Sequence, residues 1–196
     1  MSNAAPLIAE IRSSVAIIRF NRPQTRNALS DETLSALDET LAALLPRADL
    51  KTIIFTGADD VFASGANLRE VGALTPETAL PFALRGQRIF QRIANAPQLT
   101  IAAVNGYCMG GALDLALACR FRVAAPEAVF AHPGARLGII TGWGGTQRLP
   151  RLIGVTHALD MVLTGRRVKA DEALALGLVN RVGAPVLDCA LALAQK

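Results

Sequence analysis

Apolar and polar positions fall into short blocks along this chain, and the blocks change period as they go. Ile8 to Arg12 and Val15 to Phe20 are extended apolar runs separated by Ser13-Ser14, which predicts two β-strands starting a hairpin. Asn21-Arg22-Pro23 breaks the second strand. Leu34, Leu37, Leu41, Leu44 and Leu45 then recur at helical spacing. Ser30 is placed to cap that helix, Asp31 and Glu32 put negative charge in its first turn, and Pro46 ends it. Thr52 to Thr56 reads as a buried strand closed by Gly57. A second helix is predicted from Pro81 to Ala94, stopped by Pro97. Thr100 to Val104 is another strand, Gly110 to Ala118 a helix apolar nearly all round, and Phe121 to Ala124 and Val129 to Ala131 short strands. Beyond the Gly-rich stretch from Gly134 to Gly145 come helical segments near Thr146–Ile153, Thr156–Thr164 and Ala170–Leu176. A strand from Val179 to Val182 and a last helix complete the order.

Strand, strand, helix, repeated with variations, is an α/β pattern, and no low-complexity linker divides it. One domain over residues 1–196 is expected. Composition narrows the class: 52% apolar and 18% charged residues exclude intrinsic disorder. No apolar run reaches the roughly 20 residues a bilayer span needs. Met1 to Pro6 lacks the charged-then-apolar order of a signal peptide, so a cytoplasmic location is expected. The net charge of +4 is carried mainly by arginine. It fits either an ordinary solvated surface or attraction to a polyanionic small ligand. Cys108, Cys119 and Cys189 sit among apolar neighbours, as buried thiols do, and His132 and His157 are too far apart in sequence to suggest a metal centre.

Nucleophile and nucleotide motifs are weak here. Ser64 lacks a G-x-S-x-G elbow, and Gly142-Trp143-Gly144-Gly145-Thr146 lacks the lysine of a phosphate loop. Two other segments carry more chemistry. Phe62 to Glu70 and Val104 to Asp114 each run from small residues into a helix start, where backbone N–H groups are unpaired and small side chains admit a ligand. Two such starts are what holding an oxyanion requires. Asp114 follows one turn beyond Gly111 on an otherwise apolar helix, as a dipole partner or as a catalytic carboxylate.

These segments, with Asn21-Arg22-Pro23, Arg26 to Ser30, Gly144 to Pro150, Leu163 to Arg166 and Ala173 to Val182, resemble the enoyl-CoA hydratase/isomerase (crotonase) family over nearly the whole chain. The resemblance implies a spiral of ββα turns, assembly as a homotrimer or dimer of trimers, and an acyl-coenzyme A substrate with no separate cofactor. It implies that the N–H groups of Ala66 and Gly111 hold the thioester oxygen. Arg26, Ala28, Leu29, Ser64, Asn67 and Leu68 match positions lining the coenzyme pocket, and Gly110, Pro133, Gly134 and Gly142 match the acyl side.

The sequence departs from the family pattern in its acids, at Asn67 and in its C-terminal region. Hydratases of the family use two glutamates; the first matches Asp114, shorter by about 1.5 Å, and the second matches Gly134, which cannot exchange protons. The carboxylate that some relatives carry eight residues later is Gly142 here. Asp114 acting alone, a water or bicarbonate beside Gly134 as in the dihydroxynaphthoyl-CoA synthase branch, whose Gly-Trp-Gly resembles the surroundings of Trp143, or an inward-turned His132 would each supply a repair. Loss of catalysis with retention of acyl-CoA binding is the alternative. Asn67 stands where an aspartate is commoner, and the family's C-terminal helical region is expected to be shortened after about residue 183. RNA binding, known in one branch, is disfavoured by Asp31, Glu32, Asp38 and Glu39 on the first helix, although Arg85, Arg88 and Arg92 align on the second.

Overall fold

The computed structural model describes Ala4–Gln195; Met1–Asn3, part of the segment read above for a leader, and Lys196 lie outside the described residues. Among the described residues ten strands and eight α-helices follow one another: β1 (Leu7–Arg12), β2 (Val15–Phe20), α1 (Asp31–Leu44), β3 (Thr52–Thr56), β4 (Val61–Ala63), α2 (Leu68–Gly72), α3 (Pro76–Ala94), β5 (Leu99–Val104), β6 (Tyr107–Met109), α4 (Gly111–Ala118), β7 (Phe121–Ala124), β8 (Val129–Ala131), α5 (Gly145–Ile153), α6 (Val155–Thr164), β9 (Val168–Lys169), α7 (Ala170–Ala175), β10 (Arg181–Val182) and α8 (Val186–Ala194). A 3₁₀ turn, Pro133–Leu137, follows β8.

The strands sort into two sheets, in the orders β1-β2-β3-β5-β7-β10 and β4-β6-β8-β9. Successive pairs β3/β4, β5/β6 and β7/β8 each give one strand to the first sheet and the next to the second. This is the ββα spiral that the resemblance implies. Pairing is parallel except at the two ends, β1 on β2 and β8 on β9. Parallel strands buried on both faces read as continuous apolar runs, and every residue of β3 is buried. The main core unites the apolar faces of α1, α3 and α4 with β2, β3 and β5 around Phe20, Phe55, Phe62, Leu37 and Phe90.

Three strands went unseen in the sequence: β4, β6 and the two-residue β9. β4 and β6 have three residues each and lie between glycines, too short to show a period. The helix predicted to begin at Pro81 begins at Pro76. Thr75 and Thr78 cap each other reciprocally at its start, and Pro76 takes the first helical position. Pro81 therefore sits inside an exposed turn, where the carbonyl it leaves unpaired reaches water. The strand expected from Val179 is confined to Arg181–Val182, because Asn180 turns its main-chain N–H to Arg122 and its side chain to the Arg122 amide.

Local geometry around residues 26 to 29 holds the loop that leads to the site. Arg26 and Asn27 both have positive φ, 54° and 50°. Asn27 is buried; its amide donates to the carbonyls of Val61 and Phe62 and its oxygen accepts from Arg22 N–H. Asparagine is among the few residues that tolerate this backbone region. Asn27→Ala strips three hydrogen bonds from a buried position. A loss of about 2–3 kcal/mol is expected, read as a lower urea midpoint at unchanged slope; an unchanged midpoint would show that the loop is held elsewhere.

Candidate active site

Two helix beginnings meet beside one cavity. Asn67 caps α2 by accepting from Arg69 N–H at 3.1 Å, which keeps the preceding Ala66 outside the helix. Gly111 is the first residue of α4, after Gly110 at φ 53°. Leu29 N–H donates to Gly65 O at 2.8 Å and Ser64 N–H to Arg26 O at 3.0 Å, so the 26–29 loop clamps the 64–66 segment in place. Gly65, at φ 89°, passes so close to α4 that a β-carbon there would lie 3.0 Å from the Gly111 nitrogen and 2.6 Å from the Met109 carbonyl. A β-carbon on Gly111 would lie 3.6 Å from the Ala66 nitrogen. The two amides are thus neighbours. Among the described residues neither donates to a protein acceptor.

A mostly apolar cavity of about 300 Å³ opens beside them, bounded by Ala66, Gly110, Gly111, Asp114, His132, Pro133, Gly134 and Gly142 among others. Leu68, Val71, Phe82, Ile139, Ile140 and Val162 make the rest of its wall greasy. A second, more polar cavity of about 340 Å³ shares Ser64 and Pro133 with the first and carries Arg26, Arg136 and Arg167. Arg26 stacks over Tyr107 with its guanidinium carbon 5.6 Å from the ring centre. The sequence candidates divide accordingly. Ala66, Gly110, Gly111, Asp114, Ser64, Leu68, Pro133, Gly134 and Gly142 come together around the apolar cavity, and Arg26 belongs to the polar one.

Ala28, Leu29 and Asn67 line neither cavity. Leu29 is fully buried in the core, Ala28 turns its carbonyl to the Thr33 hydroxyl, and the Asn67 side chain is spent on its cap.

Asp114 is fully buried in the first turn of α4. One carboxylate oxygen, Oδ2, accepts from the Thr141 hydroxyl and from Trp143 N–H at 3.2 Å. Its other oxygen faces Nε2 of His132 at 3.4 Å. Burial raises the Asp114 carboxyl above its ordinary value, opposed by His132, Thr141 and the amides of Trp143 and Gly145. Burial lowers the His132 imidazole, opposed by Asp114. Both shifts favour the neutral forms.

His132 was legible only as one of several repairs, and the fold turns it into the cavity wall. The space beside Gly134 is another matter. A β-carbon there would lie 2.7 Å from the Ile139 carbonyl, so main chain already occupies the direction a side chain would take. Trp143 is buried under Gly111 between Phe82 and Phe90, with ring centres 5.3 and 5.6 Å away. On α3, Arg85 pairs with Asp31, and Arg88 and Arg92 pair with Asp38. These three arginines, aligned on one helix, are engaged by the acids of α1. Among the described residues no helix is long and apolar enough to cross a membrane.

Known proteins point the same way. Residues 10–196 match the family described as enoyl-CoA hydratase/isomerase. The chain is 37% identical over 180 residues to the short-chain-enoyl-CoA hydratase of Clostridium acetobutylicum, covering 91% of this chain and 69% of that protein. It is 39% identical, with the same coverage, to the crotonyl-CoA hydratase of Syntrophomonas wolfei. The crystal structure of an enoyl-CoA hydratase from Bacillus anthracis superposes with a TM-score of 0.92 at 36% identity, over 97% of this chain and 75% of that one. Sequence, two-sheet spiral and relatives agree, and the chain belongs to the enoyl-CoA hydratase/isomerase family.

Proposed function

We propose that this protein binds an acyl-CoA thioester with its carbonyl oxygen between the amides of Ala66 and Gly111 and carries it through an enolate, adding water to or shifting the double bond of an enoyl-CoA. The observation that supports this most is the pair of neighbouring, unengaged amides at the rim of an apolar cavity that also holds a buried carboxyl. An enolate puts negative charge on the thioester oxygen, and a fixed donor is worth about 3 kcal/mol there because it needs no reorganisation. The N-terminal end of α4 adds positive potential at the same point.

Each cavity suits one end of such a substrate. The greasy walls fit an unbranched acyl chain, and the three arginines of the polar cavity fit the phosphates of coenzyme A. Asp114, buried beside the apolar cavity, is our candidate to give or take the α-proton. The relatives' names carry crotonyl and short-chain enoyl thioesters, which sets the first substrates to try. Turnover of 2-enoyl-CoA and 3-enoyl-CoA thioesters of four to about ten carbons, spanning this cavity's size, should separate hydration from isomerisation by product. Binding with no turnover of any of them would favour the second reading, a non-catalytic acyl-CoA binder, to which the lack of a carboxylate at Gly134 lends support.

A homotrimer, or a pair of trimers, is proposed for the assembled state. Val155, Leu159 and Leu163 recur every four residues along α6 and are all more than half exposed. Sedimentation should give a trimeric or hexameric mass, and a monomer at micromolar concentration would refute the assembly.

A further inference from the structure

Three buried polar atoms lack partners at a single point in the cavity wall: Oδ1 of Asp114 and both ring nitrogens of His132. Leaving such atoms unpaired away from water is costly. Among the described residues the one other atom in this condition is Oε1 of Gln98, in the connection between α3 and β5. The pair is brought together by an absence. A β-carbon on Gly145, the first residue of α5, would collide with Oδ1 of Asp114 and lie 3.0 Å from Nε2 of His132. Meanwhile Thr141 and Trp143 N–H pin the far oxygen of the carboxyl, so Oδ1 is turned toward the ring and the start of α5.

We propose that His132 is the second proton carrier of this site, sharing one proton with Asp114 across the 3.4 Å contact and supplying what Gly134 cannot. The inference rests on the enoyl-thioester reading above. Its chemistry closes. Water adds its oxygen to the β-carbon of the enoyl thioester while Nε2 of neutral His132 takes the proton released as the water O–H bond breaks. The π pair moves onto the thioester as an enolate held by the Ala66 and Gly111 amides. That pair then forms the new α-carbon–hydrogen bond with the proton of the Asp114 carboxyl. Imidazolium and carboxylate remain, and transfer of one proton from Nε2 to Oδ1 restores the starting state with no external acid or base. For a double-bond shift the same two groups remove one proton and return another.

The surroundings suit this exchange. Burial pushes the Asp114 carboxyl up and the His132 imidazole down, both in the direction of the uncharged pair with which the exchange begins. The other titratable groups acting on Asp114 are Cys108 on β6, whose thiol burial holds well above its ordinary value, and Arg148 on α5. Arg148 spends its guanidinium on the Trp143 carbonyl and Gln91, and the thiol stays protonated, so neither competes for the shared proton.

The test compares wild type with His132→Gln, which keeps polarity and approximate size, on crotonyl-CoA across pH 5 to 9. General acid–base participation predicts a fall in kcat of at least about 100-fold, with KM and melting temperature near wild type and one limb of the pH profile lost. With only two histidines in the chain, the His132 imidazole is also readable directly by NMR. Asp114→Asn should change its titration, since the proton is then no longer shared with a neighbouring acid. A His132→Gln enzyme with wild-type kcat overturns the proposal, as does an imidazole whose titration ignores Asp114→Asn. If wild type binds CoA thioesters and turns none over, the enzymatic reading fails, and the imidazole titration alone then decides whether the proton is shared.

Discussion

Asp114→Asn is expected to lower kcat on an enoyl-CoA by about 10³-fold while acyl-CoA affinity changes little. The amide oxygen of asparagine can still accept from the Thr141 hydroxyl and Trp143 N–H, so the wall of the cavity keeps its shape. What is lost is the exchangeable proton. The same substitution should raise stability at neutral pH. Burial holds the folded-state pKa of Asp114 above its ordinary value, so the native state binds the proton more tightly than the unfolded chain does. Such a group contributes most below the unfolded value near 3.8, and its contribution is lost as pH rises through the folded pKa. Asparagine has no such loss. The melting temperature of the variant should therefore exceed that of wild type at pH 7, and the gap should close toward pH 4. Unchanged turnover would remove Asp114 from the chemistry. A variant less stable than wild type at pH 7 would show that the carboxylate is well satisfied where it sits.

Gly111→Ala is the second large effect. A β-carbon at Gly111 would lie 2.5 Å from the Trp143 ring, and that ring is buried and held by Phe82 and Phe90. Relief must come from a shift of α4 or of the indole, at a cost of about 1–3 kcal/mol. Either movement disturbs the amide proposed to hold the thioester oxygen, so kcat/KM should fall by about 100-fold or more. Gly86→Ala provides the control, because a methyl there strikes the same indole from α3 without lying on the amide. It should cost comparable stability with a smaller loss of turnover. If Gly86→Ala is as inactive as Gly111→Ala at equal folded fraction, the activity loss reports the indole rather than the donor.

The sequence carried the architecture because each element had a local signal. Ser30 accepts from Thr33 N–H as the cap it was read to be, and the leucine stripe of α1 is buried as its spacing required. The beginning of α3 was misplaced because Pro81 resembles a first helical residue, whereas the reciprocal Thr75–Thr78 cap lay five residues upstream. β4 and β6 owe their existence to neighbours brought in by the spiral, with β4 bulged against β6, and nothing within three residues could announce them.

For the site, backbone donors were legible as two small-residue helix starts, and Asp114 as an acid on an apolar helix. The meeting of Asp114 with His132 was not legible. It depends on a missing side chain at Gly145, on another helix, and on the Thr141 hydroxyl that turns the carboxyl. Likewise, the filling of the space at Gly134 comes from the Ile139 carbonyl, after the Gly138 turn at φ 69°. Such placements belong to tertiary structure.

The infrared carbonyl stretch of a bound, ¹³C-labelled acyl-CoA thioester bears most directly on the role of the two amides. Donation from Ala66 and Gly111 predicts a band displaced to lower frequency than in water, and a smaller displacement in Gly111→Ala. A bound thioester whose carbonyl absorbs as it does in solution, or no binding at all, would contradict the account.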